Sequence, residues 1–501
     1  MSMKKESYWL KEKRNFKFNS KEIDNTDVLI IGGGMSGIMT AYELSKNSNI
    51  NITLIDSDRL ARNVSSKTSA KITPMHNLIY QDIEKVHGIK KAKDYYNSQV
   101  EAMNYIVDII NKENIDCDLV KDNNYMFAET DSGLKKLEKE INTLSRMNVK
   151  FSVVDKIPLN IKIKKAIKYE ENYLFHPIKY LNKIIDIISN KENVNIIQNT
   201  KAINYEIKNK NYYIHLDNNK IILSKYVVVS THYPIFNLAG LYPGKLYQEK
   251  SYLLAFKSSI NINGMYINAE KPVKSLRYNN DEIIMVGNSH TAGKSVNYEN
   301  NIKNLIKAAK KIDNNIEITH IWSNQDVMSI DYLPFIGQYS RFTPNMFVQT
   351  AFHTWGMTNS HVAALLVSRE ILNKKNPYKE LYNPLRFSHI NSLPESIKII
   401  GKSINGLLIS RIVNDCNELN KLKKNEGALI NYKGSCYGAY NNGDEYLLVK
   451  PNCTHTYCFM QWNNEEKTWD CKCHGSRFDV YGKVIEGPAI KNLEMIKIKK
   501  N

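Results

Sequence analysis

Two short segments near the end of the chain each contain a cysteine and a histidine. The first runs from Cys453 to His455, and the second, fifteen residues later, from Cys471 to His474. Side chains that bind one metal centre must lie together, so this pattern requires a fold that brings the two segments side by side. Two cysteines and two histidines are a common zinc set. They also suit an iron–sulfur cluster in which two thiolates bind one iron and two imidazoles bind the other.

The distribution of the ligands separates these alternatives. Zinc fingers commonly carry a cysteine pair on one arm and a histidine pair on the other, whereas each segment here supplies one of each. The second segment continues from Gly475 to Asp479, and Gly487-Pro488-Ala489 follows. Residues 425–501 therefore resemble the Rieske [2Fe–2S] domain, with its motifs C-T-H-x-x-C and C-x-C-H-G-S and a later Gly-Pro-Ala loop. A structural zinc site is the alternative.

The Rieske resemblance implies an all-β domain and roles for individual residues. It implies four cluster ligands and one disulfide pair: Cys453, Cys471, His455 and His474 as ligands, and Cys458 and Cys473 as the pair. Ser476 matches a serine that donates to a bridging sulfide. In contrast, Phe478 stands where respiratory Rieske proteins have a tyrosine donor, and Lys472 stands where they have proline. A missing donor leaves more negative charge on the sulfurs, so we expect a potential within about −150 to +300 mV, below the upper end.

A glycine-rich motif near the start of the chain predicts a dinucleotide site. A short apolar strand, Asp27 to Ile31, leads into a G-x-G-x-x-G turn and a helix. A second strand follows and ends at Asp56, nineteen residues beyond the last motif glycine. The motif glycines, which let the backbone approach a pyrophosphate at the helix N-terminus, are Gly32, Gly34 and Gly37. We expect Asp56 to accept hydrogen bonds from the adenosine ribose. This motif alone does not distinguish FAD from NAD.

Later segments favour FAD. A strand from Phe347 to Phe352 leads through Gly356-Met357 into a helix, where the N-terminal amides can face a flavin pyrimidine and stabilise negative charge on it. Residues 25–375 resemble the D-amino-acid-oxidase-like (DAO) family of FAD-dependent oxidoreductases. The matching pieces are the glycine motif, Ser65 to Ile72, Asp331 to Gly337 and the Gly356-Met357 turn. No cysteine lies where covalent flavin attachment is expected, so we predict non-covalent FAD.

A narrower resemblance is to a bacterial family that joins this flavin module to a C-terminal Rieske domain. Its pattern is matched by five short segments: Ala70 to Thr73, Phe175 to Pro177, Ser275 to Arg277, Trp322 to Asp326 and Trp355 to Thr358. The resemblance does not supply the reaction.

The expected architecture has three parts. Residues 1–380 form the flavin module, an α/β Rossmann-like FAD-binding domain with an α+β substrate domain; 381–424 are a connector; and 425–501 form the Rieske domain. Within the flavin module we assign FAD binding to three segments and the substrate domain to two: 25–75, 150–235 and 325–375 for FAD, and 76–149 and 236–324 for substrate. Apolar residues at helical spacing predict helices from Ala92 to Lys112 and from Ser132 to Met147.

Four residues are candidates for the catalytic site. Arg277 could bind a substrate carboxylate in a bidentate manner, although it is as well explained as an ordinary strand-edge arginine. Lys71 follows the segment that runs beneath the flavin in the resembled fold, and a surface lysine is its alternative explanation. His290 and His353 could act as bases, or each could be a hydrogen-bonded structural histidine.

Composition limits the partners. The net charge of +18 comes from 69 basic and 51 acidic residues, but the lysines are spread through the chain, so we expect no nucleic-acid role. Residues 1–20 lack an apolar signal segment, and no run reaches the ~18 apolar residues of a membrane span. We therefore expect a cytoplasmic protein with no membrane span. Its partners would be a small-molecule substrate and a protein or small-molecule electron acceptor.

These features predict an FAD-dependent oxidoreductase that oxidises an amine or amino acid and passes electrons singly through the Rieske cluster. A flavin connects two-electron and one-electron chemistry, which favours a dehydrogenase over an oxidase. Two alternatives remain. One is a reductase that takes electrons from a protein donor through the cluster, since no second G-x-G-x-x-G for NAD(P)H is visible. The other is a redox sensor outside metabolism.

Overall fold

The computed structural model describes residues 4–18, 23–260, 262–293, 296–386 and 418–500. Its helices, in chain order, are α1 (Met35–Ser45), α2 (Ile79–His87), α3 (Ile89–Lys112), α4 (Asp131–Arg146), α5 (Pro177–Ser189), α6 (Tyr298–Lys310), α7 (Gly356–Ile371) and α8 (Lys379–Tyr382). Short 3₁₀ helices lie at Tyr8–Glu12, Val64–Ser66, Tyr242–Gly244 and Leu419–Lys421. The helices predicted around residues 92–112 and 132–147 are confirmed as α3 and α4.

The strands divide between a large N-terminal part and a small C-terminal part. Before the gap at 387–417 they are β1 (Asn25–Ile31), β2 (Ile52–Ile55), β3 (Lys71–Ile72), β4 (Val120–Ala128), β5 (Ser152–Val154), β6 (Lys165–Leu174), β7 (Val194–Ile197), β8 (Ala202–Lys208), β9 (Asn211–Leu216), β10 (Ile221–Val229), β11 (Leu246–Lys257), β12 (Met265–Asn268), β13 (Lys274–Asn279), β14 (Glu282–Thr291), β15 (Glu317–Ser329), β16 (Phe335–Gln338) and β17 (Met346–Thr350). After it they are β18 (Gly427–Tyr432), β19 (Ser435–Asn441), β20 (Glu445–Val449), β21 (Met460–Asn463), β22 (Thr468–Cys471), β23 (Arg477–Phe478), β24 (Val484–Glu486) and β25 (Met495–Lys499).

The first sheet is the predicted Rossmann-like layer. Its order is β16-β17-β10-β1-β2-β7, with β9 and β8 joined to β10. The strands from β17 to β7 are parallel, and only β16 joins this row antiparallel. Because β1 and β2 are apolar and flanked by helices, they are buried on both faces. The carboxyl ends of β1, β2 and β10 meet at one edge of the sheet, where ligands of such folds bind.

The second sheet is larger and mostly antiparallel. Its order is β15-β11-β14-β13-β12-β4-β6-β3, with β5 on β6. Residues 150–235 are predicted from the sequence to bind FAD, but β5 and β6 pair within this second sheet. Their local pattern specifies extended chain, whereas the choice of partner strand depends on long-range packing. The second sheet stands over the carboxyl edge of the first, so a cavity forms between them.

The C-terminal part consists of two small antiparallel sheets, as the all-β prediction requires. Their orders are β18-β19-β20-β25 and β21-β22-β23-β24. Cys453 and Cys471 lie in a buried core with Trp469 and Phe478. The predicted connector, 381–424, falls largely on residues 387–417, outside the described residues.

The N-terminal segment is part of the large core. Tyr8 and Trp9 are fully buried. The Trp9 indole N–H donates to the Thr68 carbonyl (2.6 Å), and the Ser7 hydroxyl donates to the Ser66 carbonyl. These two hydrogen bonds therefore hold residues 66–68 against the N-terminal segment. Among the described residues, no helix combines the length and apolar character needed to cross a bilayer.

Candidate functional site

A cavity of about 1890 Å³ separates the two large sheets. It reaches from the glycine turn after β1, past the segment 61–69, to the N-terminus of α7 and the face of β11 and β15. Residues 483–487 of the C-terminal domain also line it. The residues that line the cavity include both the predicted dinucleotide turn and the face of β11 and β15. The C-terminal domain forms part of the cavity wall.

The glycines of the turn meet different steric requirements. A Cβ atom at Gly37 would overlap the carbonyl oxygen of Gly32, so α1 packs on the turn only without a side chain there. A Cβ atom at Gly34 would approach only Ser65 Oγ, at 3.2 Å. Gly34 is the N-cap residue of α1 and lines the cavity, and the Met35 N–H that follows it donates to Ser65 Oγ (2.8 Å). The protein itself therefore leaves room at Gly34, and a group that approaches the helix N-terminus would fill it.

Asp56 stands at the carboxyl end of β2, as predicted. Its carboxylate accepts the Gly33 N–H (2.6 Å) and the Asp58 N–H (2.8 Å), and it lines the cavity. Burial raises the pKa of Asp56 to about 6, while the two backbone donors oppose that rise. A pair of ribose hydroxyls would supply further donors to this carboxylate, so its position fits the expected role.

The predicted Gly356-Met357 turn forms the first residues of α7, and both residues line the cavity. No side chain caps this helix, so its first amides and the positive end of its dipole are directed at the cavity. The His76 ring stacks on Trp355 at 4.6 Å beside this turn. The turn can therefore stabilise negative charge on a ring bound against it.

The four predicted metal ligands lie together in the C-terminal domain. The Cys453 and Cys471 thiols are buried and hydrogen-bonded to each other, and the His455 and His474 rings are 5.1 Å apart. Both ring nitrogens of His455 are buried, and neither has a hydrogen-bond partner within the described part of the chain. Ser476 is fully buried and hydrogen-bonds Cys453. Buried imidazole nitrogens without partners are costly unless a metal takes their lone pairs, so the residues fit a metal centre.

Two further cysteines form a disulfide beside this pocket. Cys458 and Cys473 are bonded, with 6.3 Å between their Cα atoms. Cys471 Sγ lies within 4.8 Å of both disulfide sulfurs. The bond joins the two ligand-bearing segments, so it fixes the separation of the ligand pairs.

The strands β11 and β15 form a wall between the cavity and the C-terminal domain. Alternate side chains point to opposite faces of a strand. On one face, the Gln248 amide donates to the His474 carbonyl (2.6 Å), and the Gln325 amide donates to the Gly475 carbonyl (3.0 Å). On the other face, Glu249 and Asn324 line the cavity. A two-strand wall therefore holds a ligand-bearing loop directly behind the cavity.

A buried ion network fastens the two domains together. Arg477, in the C-terminal domain, binds Glu466 (2.9 Å), Asp470 (3.2 Å) and Glu486 (3.3 Å). Two lysines of the N-terminal part complete it: Lys250 binds Glu466, and Lys67 binds Glu486 (3.1 Å). Lys67 belongs to the segment that lines the cavity. The docking of the C-terminal domain is thus coupled to the position of this segment.

Two catalytic candidates, Lys71 and Arg277, are not among the residues that line the cavity. The Arg277 guanidinium donates to the carbonyls of Ala70 (2.6 Å) and Phe175 (3.0 Å). Lys71 donates to Ser275 Oγ and to the Tyr266 carbonyl, and burial, with Arg277 nearby, lowers its pKa to about 7. In this arrangement both side chains tie the segment around residue 70 to the second sheet.

The two histidine candidates do line the cavity. His353 Nε2 accepts the Ser329 N–H (3.0 Å), and burial lowers the His353 pKa to about 4, so the ring is held neutral with this lone pair in use. The His290 ring contacts Tyr252 and Tyr298, on the side of α6. Neither geometry places a free imidazole lone pair in the cavity.

The sequence matches the family model "FAD dependent oxidoreductase" (DAO) over residues 27–370. This chain belongs to that family. A Rieske [2Fe-2S] domain model matches residues 416–497. The iron–sulfur protein YhfW of Bacillus subtilis, which is named for a Rieske 2Fe-2S centre, is 32% identical over 98% of this chain and 97% of its own length. The iron-sulfur subunit 1 of the cytochrome b6-f complex of Nostoc is 49% identical over 43 residues, 9% of this chain and 24% of its own.

Solved structures of flavoenzymes share the fold of the N-terminal part. Glycine oxidase from Geobacillus kaustophilus has a TM-score of 0.61 and 13% identity, covering 73% of this chain and 99% of its own. L-proline dehydrogenase from P. horikoshii has a TM-score of 0.60 and 17% identity, with 73% and 99% covered. The oxidoreductase therefore binds FAD and a [2Fe–2S] cluster, and the space at Gly34, the buried acceptor Asp56 and the unpartnered nitrogens of His455 fit these two groups.

Several residues without a role predicted from the sequence also lie at the cavity or in the ion network. These are Tyr233, Gln248 and Glu249 in the cavity region, and Lys67 and Glu486 in the ion network. Asn324 and Asp326 lie in a segment that carried the narrower resemblance, so that segment was a usable signal. The others sit in segments of ordinary composition, and only pairing of distant strands brings them together.

We expect the purified oxidoreductase to contain one FAD and two irons per chain, with no zinc at the Cys/His site, because each ligand segment supplies one thiolate and one imidazole. Metal analysis with an acid-labile sulfide assay measures this directly. Stoichiometric zinc without sulfide would contradict the assignment of the cluster.

Phe478→Tyr is expected to raise the potential of the cluster. Phe478 is fully buried in the core that holds Cys453 and Cys471, and a hydroxyl that reaches a cysteine sulfur would withdraw negative charge from it. A redox titration of the whole protein, followed by electron paramagnetic resonance (EPR), would detect the change. Phe478→Leu is the control without a donor; equal potentials in the tyrosine and leucine variants would refute the prediction.

Proposed function

We propose that this oxidoreductase is a dehydrogenase that oxidises an amine or amino acid and sends the electrons, one at a time, through the Rieske cluster to an external acceptor. Bound FAD would supply the two-electron acceptor for a hydride from the substrate carbon, and loss of a proton from the substrate nitrogen would leave an imine. The cluster accepts electrons singly. The remaining steps belong to the protein: it holds the two cofactors on either side of one wall and keeps that separation fixed.

The shared wall is the observation that carries this proposal. Tyr233 lines the cavity, is buried, and lies with its ring centre 6.4 Å from that of His455. Gln248 belongs to the strand that faces the cavity and donates to the His474 carbonyl. Each of the two cluster histidines is therefore contacted by one side chain from an element that borders the flavin cavity. This supports direct electron transfer within one chain.

The fixed docking supports the same proposal. The ion pair between the domains at Lys250 and Glu466 is largely closed to water, since the side chains are 1% and 25% exposed. Separation of the domains would leave buried charges to be solvated or newly paired. The arrangement favours a cluster that stays beside the flavin and meets its external acceptor at the outer surface.

Anaerobic reduction tests the proposal. The holoprotein is mixed with a panel of amines, amino acids and hydroxy acids, and flavin bleaching and the EPR signal of the reduced cluster are followed together. We expect one class of amine or amino acid to bleach the flavin, with the cluster signal appearing afterwards. If no member acts and a reduced ferredoxin instead reduces the cluster before the flavin, the protein is a reductase.

Tyr233→Leu is expected to slow electron transfer from flavin to cluster, whereas Tyr233→Phe should preserve the wild-type rate. The Tyr233 hydroxyl is buried and has no hydrogen-bond partner in the segments that the structure describes, so the ring and not the hydroxyl would provide the contact with His455. Stopped-flow measurement after photoreduction of the flavin reports the transfer rate without requiring a substrate. Equal rates in the leucine and phenylalanine variants would show that Tyr233 is outside the path.

A further inference from the structure

Two carboxylates face each other on the cavity side of the wall. Glu249 and Asp326 are register partners on the antiparallel strands β11 and β15, and both line the cavity. Side chains directly opposite each other on such strands lie close, and like charges in that position destabilise the sheet. Burial, together with Glu249, raises the pKa of Asp326 to about 7. In the protein alone, the carboxylates of Glu249 and Asp326 therefore repel each other.

The neighbouring cross-strand pair adds an unused acceptor. Ser251 and Asn324 are the next register partners on the same face. Asn324 is 95% buried, since 5% is exposed, and its Oδ1 has no hydrogen-bond partner among the described residues. Its Nδ2 donates to Asp326 Oδ2 (3.0 Å), which fixes the direction of the amide. An unpartnered carbonyl oxygen in a buried position is costly unless a ligand donates to it.

We propose that Glu249, Asp326 and Asn324, the acceptor cluster, bind the cationic ammonium group of the substrate. An ammonium carries three donors and no acceptor, which matches three oxygen-bearing acceptors on one face of the wall. The donors that the structure gives these carboxylates are neutral: the Ser289 hydroxyl to Glu249 (2.8 Å) and the Asn324 amide to Asp326. A cation would relieve the repulsion and satisfy the free oxygen at the same time.

A metal cation is a poorer occupant of the acceptor cluster. Ca²⁺ takes about six to eight oxygen ligands, and Mg²⁺ requires near-ideal octahedral geometry. Three side chains on one face of a sheet supply less than this. The acceptor cluster also shares its cavity with the α7 turn at Gly356, where the flavin ring is expected. This inference rests on the proposed oxidation of an amine or amino acid, and it selects the ammonium end of the substrate as the anchor.

Binding to the oxidised holoprotein tests the site without turnover. The probe is n-butylammonium, compared with butanoate and butanamide, and binding is followed by isothermal titration calorimetry and by the change in the flavin absorbance spectrum. We expect butylammonium to bind and the other two to bind at least ~10-fold more weakly, as the loss of a charge-assisted hydrogen bond implies. Absence of butylammonium binding, tighter binding of butanoate, or displacement by Mg²⁺ or Ca²⁺ would overturn the proposal.

Two charge-neutral variants locate the probe. Asp326→Asn and Glu249→Gln should each weaken butylammonium binding roughly tenfold or more, and neither should impair folding, since each removes a repulsion. Asp82→Asn is the matched control, because Asp82 is a carboxylate that lines the cavity from α2. FAD content and the cluster EPR signal confirm that each variant is folded. Wild-type affinity in Asp326→Asn, or an equal loss in Asp82→Asn, would sink the inference.

The cation site and the proposed dehydrogenase function can fail independently in these experiments. If butylammonium binds at the acceptor cluster but no amine bleaches the flavin, the cation site stands and the proposed dehydrogenase falls. If amines reduce the flavin with the same KM in wild type and Asp326→Asn, the dehydrogenase stands and the cation site falls.

Discussion

Replacing Gly34 by valine is expected to abolish FAD retention and to leave the Rieske cluster in place. An added Cβ atom at Gly34 would approach only Ser65 Oγ, at 3.2 Å, a tight contact that a small shift of this hydroxyl would relieve. The same atom would occupy the space at the N-terminus of α1 where the pyrophosphate must approach the backbone. The loss should therefore concern the cofactor and not the fold. The FAD-to-protein ratio, the iron content and the cluster EPR signal after purification measure the two effects independently.

Gly244→Val is the matched control for this change. A Cβ atom at Gly244 would meet no other atom within 4 Å, and Gly244 does not line the cavity. We expect this variant to keep both cofactors. Gly37→Val should behave differently from both, because its side chain would overlap the Gly32 carbonyl and prevent folding of the turn. Equal loss of FAD and cluster in Gly34→Val would refute the view that the two cofactors occupy separately folded sites.

Replacing Arg477 by methionine is expected to destabilise the docked C-terminal domain by about 3–5 kcal/mol, the usual cost of removing one partner from a buried ion pair. Arg477 is 5% exposed, and it compensates three carboxylates, on Glu466, Asp470 and Glu486. Denaturant unfolding followed by the visible circular dichroism of the cluster would report the change. A loss below about 1 kcal/mol would contradict the inferred role.

Arg146→Met is the control for Arg477→Met. Arg146 also pairs with a glutamate, Glu84, but its side chain is 56% exposed, and exposed pairs contribute about 0–1 kcal/mol.

Acid should destabilise the ion network, as Arg477→Met does. Although burial disfavours its ionisation, Glu466 is held at a pKa of about 2 by Arg477 and Lys250. A carboxyl whose pKa falls on folding stabilises the protein at neutral pH, and this contribution is lost as the pH falls from about 4.5 towards 2.

The sequence by itself determined the cofactors and the classes of fold that hold them. The glycine turn and the Cys/His segments are local: their chemistry requires particular residues at short spacings, so Gly34, Asp56, Cys453 and His474 were identifiable without coordinates. The helices α3 and α4 were predictable for the same reason, because the period of apolar residues is a local property. The parallel order of the first sheet followed from the β-α-β pattern around the turn.

Only the tertiary structure decided how these local units face one another. Whether β6 pairs in the first or the second sheet depends on its contacts with β4, and whether Arg277 faces a ligand or carbonyl groups depends on residues 102 and 207 positions away. The wall of β11 and β15 is decided in the same way, because each strand's alternation is visible in sequence but its two neighbours are not. Packing of distant strands thus placed the Cys/His segments behind the cavity and brought Glu249 opposite Asp326, which no local pattern encodes.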